Sequence, residues 1–276
     1  MELRKLTTLG RPIDPSYPTN RAIVVVTFAV MIAGLHLKRL TGSVWGESVM
    51  WGIQAGLAVF LAWSLCREID PDHSLSAFVA AGLALVGLFL WELPYFLALF
   101  WLVMVMRVVN RTAGVPAGPL DALAVLMLGG WLSLRGNWGY GILTALAFWL
   151  DSVLPPATLR HLAFAAVALA VTVAVALLGP VARWDEAPSL VGGLIGLGIS
   201  AVFLPVVVSA GRVESVGDQT REPLEPIRVQ GAQVVALLTG IEVAVLGGLA
   251  GLGALMPLWA AVLGAWIYSL FLAVKS

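Results

Sequence analysis

Long apolar runs, divided by short polar punctuation, set the pattern of this chain. They occupy about 22–37, 49–66, 75–91, 93–106, 120–134, 138–154, 159–178, 189–210, 232–254 and 256–274. Each reads as a helix, because no stretch alternates polar and apolar positions as a strand would. Crossing the hydrocarbon core takes roughly 20 residues at about 1.5 Å each. The shorter runs therefore require burial inside the bundle or a locally thinned bilayer. The fold class expected is all-α, a polytopic transmembrane helix bundle of about ten spans.

The stretch 75–106 decides the count. As one helix it would reach roughly 48 Å, longer than a bilayer core, so a hairpin turning at Trp91-Glu92-Leu93-Pro94 is expected. The positive-inside rule tests this. With the hairpin and a cytoplasmic N-terminus, the inner segments hold twelve basic residues: Arg4, Lys5, Arg11, Arg21, Arg67, Arg107, Arg111, Arg160, Arg212, Arg221, Arg228 and Lys275. The outer segments hold four, Lys38, Arg39, Arg135 and Arg183. Removing the hairpin flips every later loop and reverses the bias. Ten spans with both termini cytoplasmic is the expectation. Trp45, Trp51, Trp91, Trp131, Trp138, Trp184 and Trp259 would then form an outer interfacial belt.

The organisation that follows is a cytoplasmic segment over 1–21, one transmembrane domain over 22–274 and a cytoplasmic polar loop at 211–231. Pro12, Pro15 and Pro18 precede the first run, and Lys38-Arg39 follows it without a small-residue cleavage site. That run is accordingly kept as a span rather than a cleavable signal.

Composition agrees. Hydrophobic residues make up 60% and charged residues 12% of the 276 residues, against about 45–50% and about 25% in soluble proteins. The mean hydropathy is +0.95. Soluble, disordered, fibrous and disulfide-scaffold classes are excluded, leaving a multi-pass protein assigned to the cell membrane with the bilayer as its first partner. The net charge of zero provides no field for nucleic acid. A lone Cys66 cannot form an internal disulfide.

Helices in lipid associate by close packing of small residues. Gly52 and Gly56 supply these in the second run, Gly192, Gly196 and Ser200 in the eighth, and Gly240, Ala244, Gly247, Gly248 and Gly251 in the ninth. Ten spans also divide into two inverted halves of five. A faint echo links Arg67-Glu68-Ile69-Asp70-Pro71-Asp72-His73-Ser74-Leu75 with Arg183-Trp184-Asp185-Glu186-Ala187-Pro188-Ser189-Leu190, one residue shorter.

Candidate chemistry lies in the polar residues that such a chain can least accommodate. Glu242 is the one acid in the middle of a run, flanked by Ile241, Val243 and Val245. A mid-span acid costs about 2.5–3.5 kcal/mol on insertion scales, so it faces a cavity or a partner. It is either a proton or cation carrier or a protonated, hydrogen-bonded strut, with Gln54 and Gln233 as partners. Asp70 and Asp72 flank Pro71 just beyond the second run, two oxygen donors suited to a hard divalent cation, with Arg67 beside them for a phosphate. As loop chemistry the same residues turn the chain and cap the third helix.

Arg107 and Arg111, with Asn110 between them, are four apart and share a face if the fourth helix runs that far. Two guanidiniums so placed suit a phosphate, a carboxylate or anionic headgroups. Asp121 opens the fifth run, where a helix N-terminus favours an acid. Asp151 ends the sixth among Trp149, Leu150, Val153 and Leu154, where a carboxylate needs a partner, and Arg160 is the candidate. No Walker loop, nucleophile elbow, paired-histidine zinc helix or dinucleotide fingerprint occurs.

Three readings follow. The first is a small-solute transporter or permease-like protein with Glu242 as its intramembrane carrier. The second is a membrane-embedded enzyme for a lipid-linked or phosphorylated substrate at the cytoplasmic face, and only this one brings a divalent cation as cofactor. The third is a non-catalytic membrane subunit.

Overall fold

The computed structural model describes residues 7–11, 13–178 and 189–275. Ten α-helices run through them: α1 (Pro18–Leu40), α2 (Trp45–Ile69), α3 (Ser76–Leu90), α4 (Phe96–Asn110), α5 (Pro119–Arg135), α6 (Gly139–Val153), α7 (His161–Leu178), α8 (Leu190–Ser209), α9 (Pro226–Ala254) and α10 (Met256–Lys275). A 3-10 turn at Ala210–Arg212 extends α8. Among the described residues there is no strand, only an isolated bridge between Val216 and Pro223.

One helix answers each apolar run, with ends set by proline and by local caps. Pro18 and Pro119 stand in the first turns of α1 and α5, where a missing N–H costs nothing. Pro226 likewise opens α9, so α9 begins earlier than the apolar run at 232 and shortens the polar loop expected over 211–231. The chain leaves α3 at Trp91, which is extended, and re-enters helix at Phe96. The Tyr95 N–H donates to the Ala254 carbonyl at 2.9 Å. Pro94 biases Leu93 away from helical geometry, which is why the helix breaks there.

The helices α1, α2, α7, α9, α10 and α8 with its 3-10 turn are long and apolar enough to cross a membrane, and α3, α4 and α6 are shorter apolar helices. Large apolar side chains face outward. Val25, Phe28 and Ile32 of α1 are 67%, 59% and 58% exposed. Water does not tolerate so continuous an apolar surface, whereas acyl chains do. The chain is an integral membrane protein.

Two compact units divide the described residues, 13–99 with 253–275 and 7–11 with 100–178 and 189–252. In the first, Gly52 and Gly56 of α2 lie on the α1 backbone at Met31 and Thr27, where any Cβ would collide. Ala77, Ala80, Ala81 and Ala84 make a buried small-residue stripe on α3, and Gly264 of α10 seats against Ala80. These contacts are the dispersion-driven packing that lipid demands.

In the second unit, glycines face hydroxyls. Gly129 lies against Thr144, and Gly141 against Thr172 and Ser133. Each hydroxyl donates to a carbonyl one turn back, Thr144 to Tyr140, Thr172 to Ala168 and Ser133 to Gly129. Thr144 also accepts the indole N–H of buried Trp101 at 3.0 Å. Polar atoms in the bundle are thereby satisfied without exposing backbone.

The small-residue row of α9 does more than pack. Gly248 has φ +57° and ψ −139°, so α9 is broken there. Gly192 of α8 lies on Ala244 and Gly248. The Val245 carbonyl, at the break, accepts the Ser189 N–H at 2.8 Å, and the Ser189 hydroxyl accepts from Gly192 N–H to cap α8. Trp184 of the expected belt and the Arg183–Pro188 stretch of the linker echo lie outside the described residues.

Candidate functional site

Glu242 projects from α9 within the second unit and is half-buried. Its carboxyl rests directly on Gly139, the first residue of α6, at a point where a Cβ would overlap it. No hydrogen bond or ion pair reaches this carboxyl from any described residue. Beside it, the first-turn amides of α6 are already engaged. The Gly139 N–H donates to Asn137 Oδ1 at 2.6 Å, and the Gly141 and Ile142 N–H groups donate to the Trp138 carbonyl. The other half of the Asn137 amide, Nδ2, is buried without a partner. A carboxyl and an amide N–H₂ group thus flank one glycine, each lacking a partner among the described residues. Gln54, an expected partner of Glu242, belongs to α2 of the first unit, and Gln233 is buried on α9 itself.

The expected Asp151–Arg160 pair is not formed. Arg160 precedes α7 and donates to the Ala117 carbonyl at 2.7 Å. Asp151 instead gathers three other side chains. Arg111 Nε and Arg228 Nη1 both reach Oδ1 at 2.7 Å, and His161 Nδ1 lies 2.5 Å from Oδ2. His161 is the first residue of α7 and turns inward where its neighbour Arg160 reaches back along the loop. Its Nε2 lies 3.2 Å from the Ala117 carbonyl.

Arg228 spends its whole guanidinium here. Nε donates to the Pro155 carbonyl, Nη1 to Val109 as well as to Asp151, and Nη2 to Leu154 and Pro156, all within 2.6–3.0 Å. These carbonyls include groups at the ends of α4 and α6, which lack helical donors and carry the negative pole of the helix dipole. One buried cation therefore ties both helix ends to the start of α9. Its donors leave none for a ligand.

Arg107 and Arg111 do not share a face. The helix α4 stops at Asn110, and Arg111 follows in the left-handed region with φ +53°. That turn sends Arg111 to Asp151 and to the Thr158 hydroxyl, while Arg107 donates to the Leu9 carbonyl at 3.1 Å. Asn110 is buried, and its Oδ1 accepts the Thr112 N–H.

Asp121 holds a strap. Its carboxylate accepts from the Thr7 hydroxyl, from the Thr8 hydroxyl and amide, and from the Leu9 amide. Arg11 continues the strap with an ion pair to Asp218. The helix N-terminus favours the acid, as expected, and its donors come from residues 7–9 rather than from a ligand.

In the first unit, Asp70 ends α2, and its Oδ1 lies 2.8 Å from His73 Nδ1. This hydrogen bond holds the His73 ring above the usual imidazole range. Burial opposes the shift, and the nearby Asp70 and Asp72 charges add to it. Arg67 donates to the Pro71 carbonyl and the Ser74 hydroxyl, and Asp72 is exposed. Among the described residues, no group of three or more His, Cys, Asp or Glu side chains is arranged to hold a metal ion. No protein-family model, curated protein or solved structure matches the chain.

Sequence reasoning missed His161 and Arg228 as partners of Asp151, and Asn137 and Gly139 beside Glu242. A polar Arg-Gly-Asn turn between two apolar runs was the only signal for the latter pair.

Proposed function

We propose that the chain is a ten-span, multi-pass protein of the cell membrane, with both termini cytoplasmic, that carries a small solute across the bilayer. Glu242 binds the coupling proton or cation. The observation that carries this reading is a half-buried carboxyl on a long apolar helix with no partner among the described residues. As a structural strut Glu242 would have to be hydrogen bonded, because an unsatisfied polar group in the bundle interior costs several kcal/mol (about 2–7 by transfer measurements). As a carrier it must be free to take up and release its cargo.

Two further features support the reading. The helix α9 is interrupted at Gly248, six residues beyond Glu242, and discontinuous helices line the ion and substrate sites of many secondary transporters. The Glu242 carboxyl also abuts the start of α6 with no side chain intervening.

The chemical test is labelling with a hydrophobic carbodiimide, which modifies protonated carboxyls in apolar surroundings. Glu242 should be labelled, less so as pH rises, while Asp151, locked between two arginines, should not. Labelling confined to loop carboxyls would remove the carrier role. Function is tested by solute uptake into proteoliposomes. The Glu242→Gln variant should lose both uptake and its pH dependence while keeping wild-type Tm.

A further inference from the structure

Polar groups without partners mark a second place, at the turn that joins α1 to α2. A shallow, open groove of about 510 Å³ lies there, lined by Lys38, Gly46, Glu47, Met50, Trp51 and Gln54, with Glu47 exposed. Lys38 lies in the last turn of α1 and Glu47 in the first turn of α2. Although they carry opposite charges and line one groove, they are not paired with each other or with any described residue. The same holds for the Gln54 amide and the Trp51 indole N–H. The neighbouring cation is committed elsewhere: Arg39 donates to the Ser43 carbonyl and stacks on Trp45.

A cation, an anion, an indole N–H and an amide along one open groove complement a ligand that carries both charges close together. Lys38 and the indole suit its anionic end, and Glu47 and the Gln54 carbonyl suit an ammonium that can donate hydrogen bonds. The position narrows the source. Both charged residues sit at helix ends, where a span meets the membrane boundary. Gln54 lies nine residues into α2, roughly 14 Å along its axis at 1.5 Å per residue. The groove therefore descends from the boundary toward the hydrocarbon. Its flank on α2 is apolar and outward-facing, with Met50 57%, Ile53 36% and Leu57 41% exposed, a surface suited to acyl chains.

We infer that the α1–α2 groove is a binding site for a zwitterionic phospholipid whose headgroup ends in a primary ammonium. The phosphate pairs with Lys38, the ammonium with Glu47, and the acyl chains run along the exposed face of α2. This site stands on side chains remote in sequence from Glu242 and does not depend on the transport reading.

Native mass spectrometry of the detergent-solubilised full chain tests it, by titration with three phospholipids of identical acyl chains bearing ethanolamine, choline or glycerol headgroups. One copy of the ethanolamine lipid should bind about tenfold tighter than either other, the difference expected for hydrogen bonds to a charged group. Glu47→Gln should bring the ethanolamine lipid to the level that the choline lipid shows in the same variant, and a wild-type Tm verifies folding. Lys38→Gln should weaken the ethanolamine and choline lipids alike. Equal binding of the three lipids, or an ethanolamine preference that survives Glu47→Gln, would overturn the site. Displacement of the bound lipid by soluble phosphoethanolamine at an equal concentration would overturn the lipid assignment and make the ligand a free zwitterion.

Discussion

Replacing Asp151 by Asn should be among the most damaging single-atom-scale changes this chain can suffer. The carboxylate is 0% exposed and neutralises part of the charge of two buried guanidiniums, Arg111 and Arg228. The amide keeps the shape and removes the counter-charge, leaving both cations unbalanced away from solvent. Breaking a buried pair by removing one partner costs about 3–5 kcal/mol, and here one substitution strips two. Burial means that solvent screening does not soften the loss. Against a typical folding stability of about 5–15 kcal/mol, the variant should unfold at markedly lower denaturant. Urea unfolding in detergent, followed by tryptophan fluorescence, measures this. Arg228→Met should be comparably harmful, since it strands the Val109, Leu154, Pro155 and Pro156 carbonyls. The double variant should lose less than the sum, with a coupling energy of about 0.5–3 kcal/mol. An Asp151→Asn protein within about 1 kcal/mol of wild type would refute the clamp.

Other outcomes follow from the same structure. Asp121→Ala removes four hydrogen bonds to residues 7–9, so hydrogen exchange at Thr8 and Leu9 should accelerate at least tenfold while the helices stay protected. Gly248→Ala forces a side chain into φ +57° and against Ser189, costing about 1–3 kcal/mol, readable as a lower Tm; an unchanged Tm would mean that α9 is continuous. The His73–Asp70 contact gives a pH dependence of definite sign. Because the folded ring is held above its ordinary 6.5, its contribution is full below that value and is lost as pH rises through the raised folded value. The Tm of wild type should therefore fall relative to His73→Gln as pH rises above 6.5, and parallel curves would contradict this.

Much of the fold was legible because membrane helices announce themselves. Each apolar run had to be a helix, since only internal hydrogen bonding satisfies a backbone in lipid. The turn at Trp91–Pro94 was readable from helix length and from proline. Helix ends were less so. Arg111 steps out of α4 by adopting a left-handed φ without glycine, and this separates it from Arg107, which spacing alone placed on its face. The site was least legible where partners are distant in sequence. Asp151 and Arg228 are 77 residues apart, and nothing in the local pattern prefers Arg228 over nearby Arg160. Glu242 stood out because an acid inside an apolar run is costly. What lies opposite it, Gly139 at the start of α6, is 103 residues away in sequence and could not be read from the local pattern.

The most direct measurement of the central claim is solute flux driven by a pH gradient in proteoliposomes. Solid-supported-membrane currents would be recorded across a panel of small solutes for wild type and Glu242→Gln, with equal Tm confirming that both are folded. A carrier carboxyl predicts a pH-dependent current for wild type that disappears in the variant. The same current in the variant, with the same pH dependence, or no pH-driven current for any solute with wild type, would contradict it.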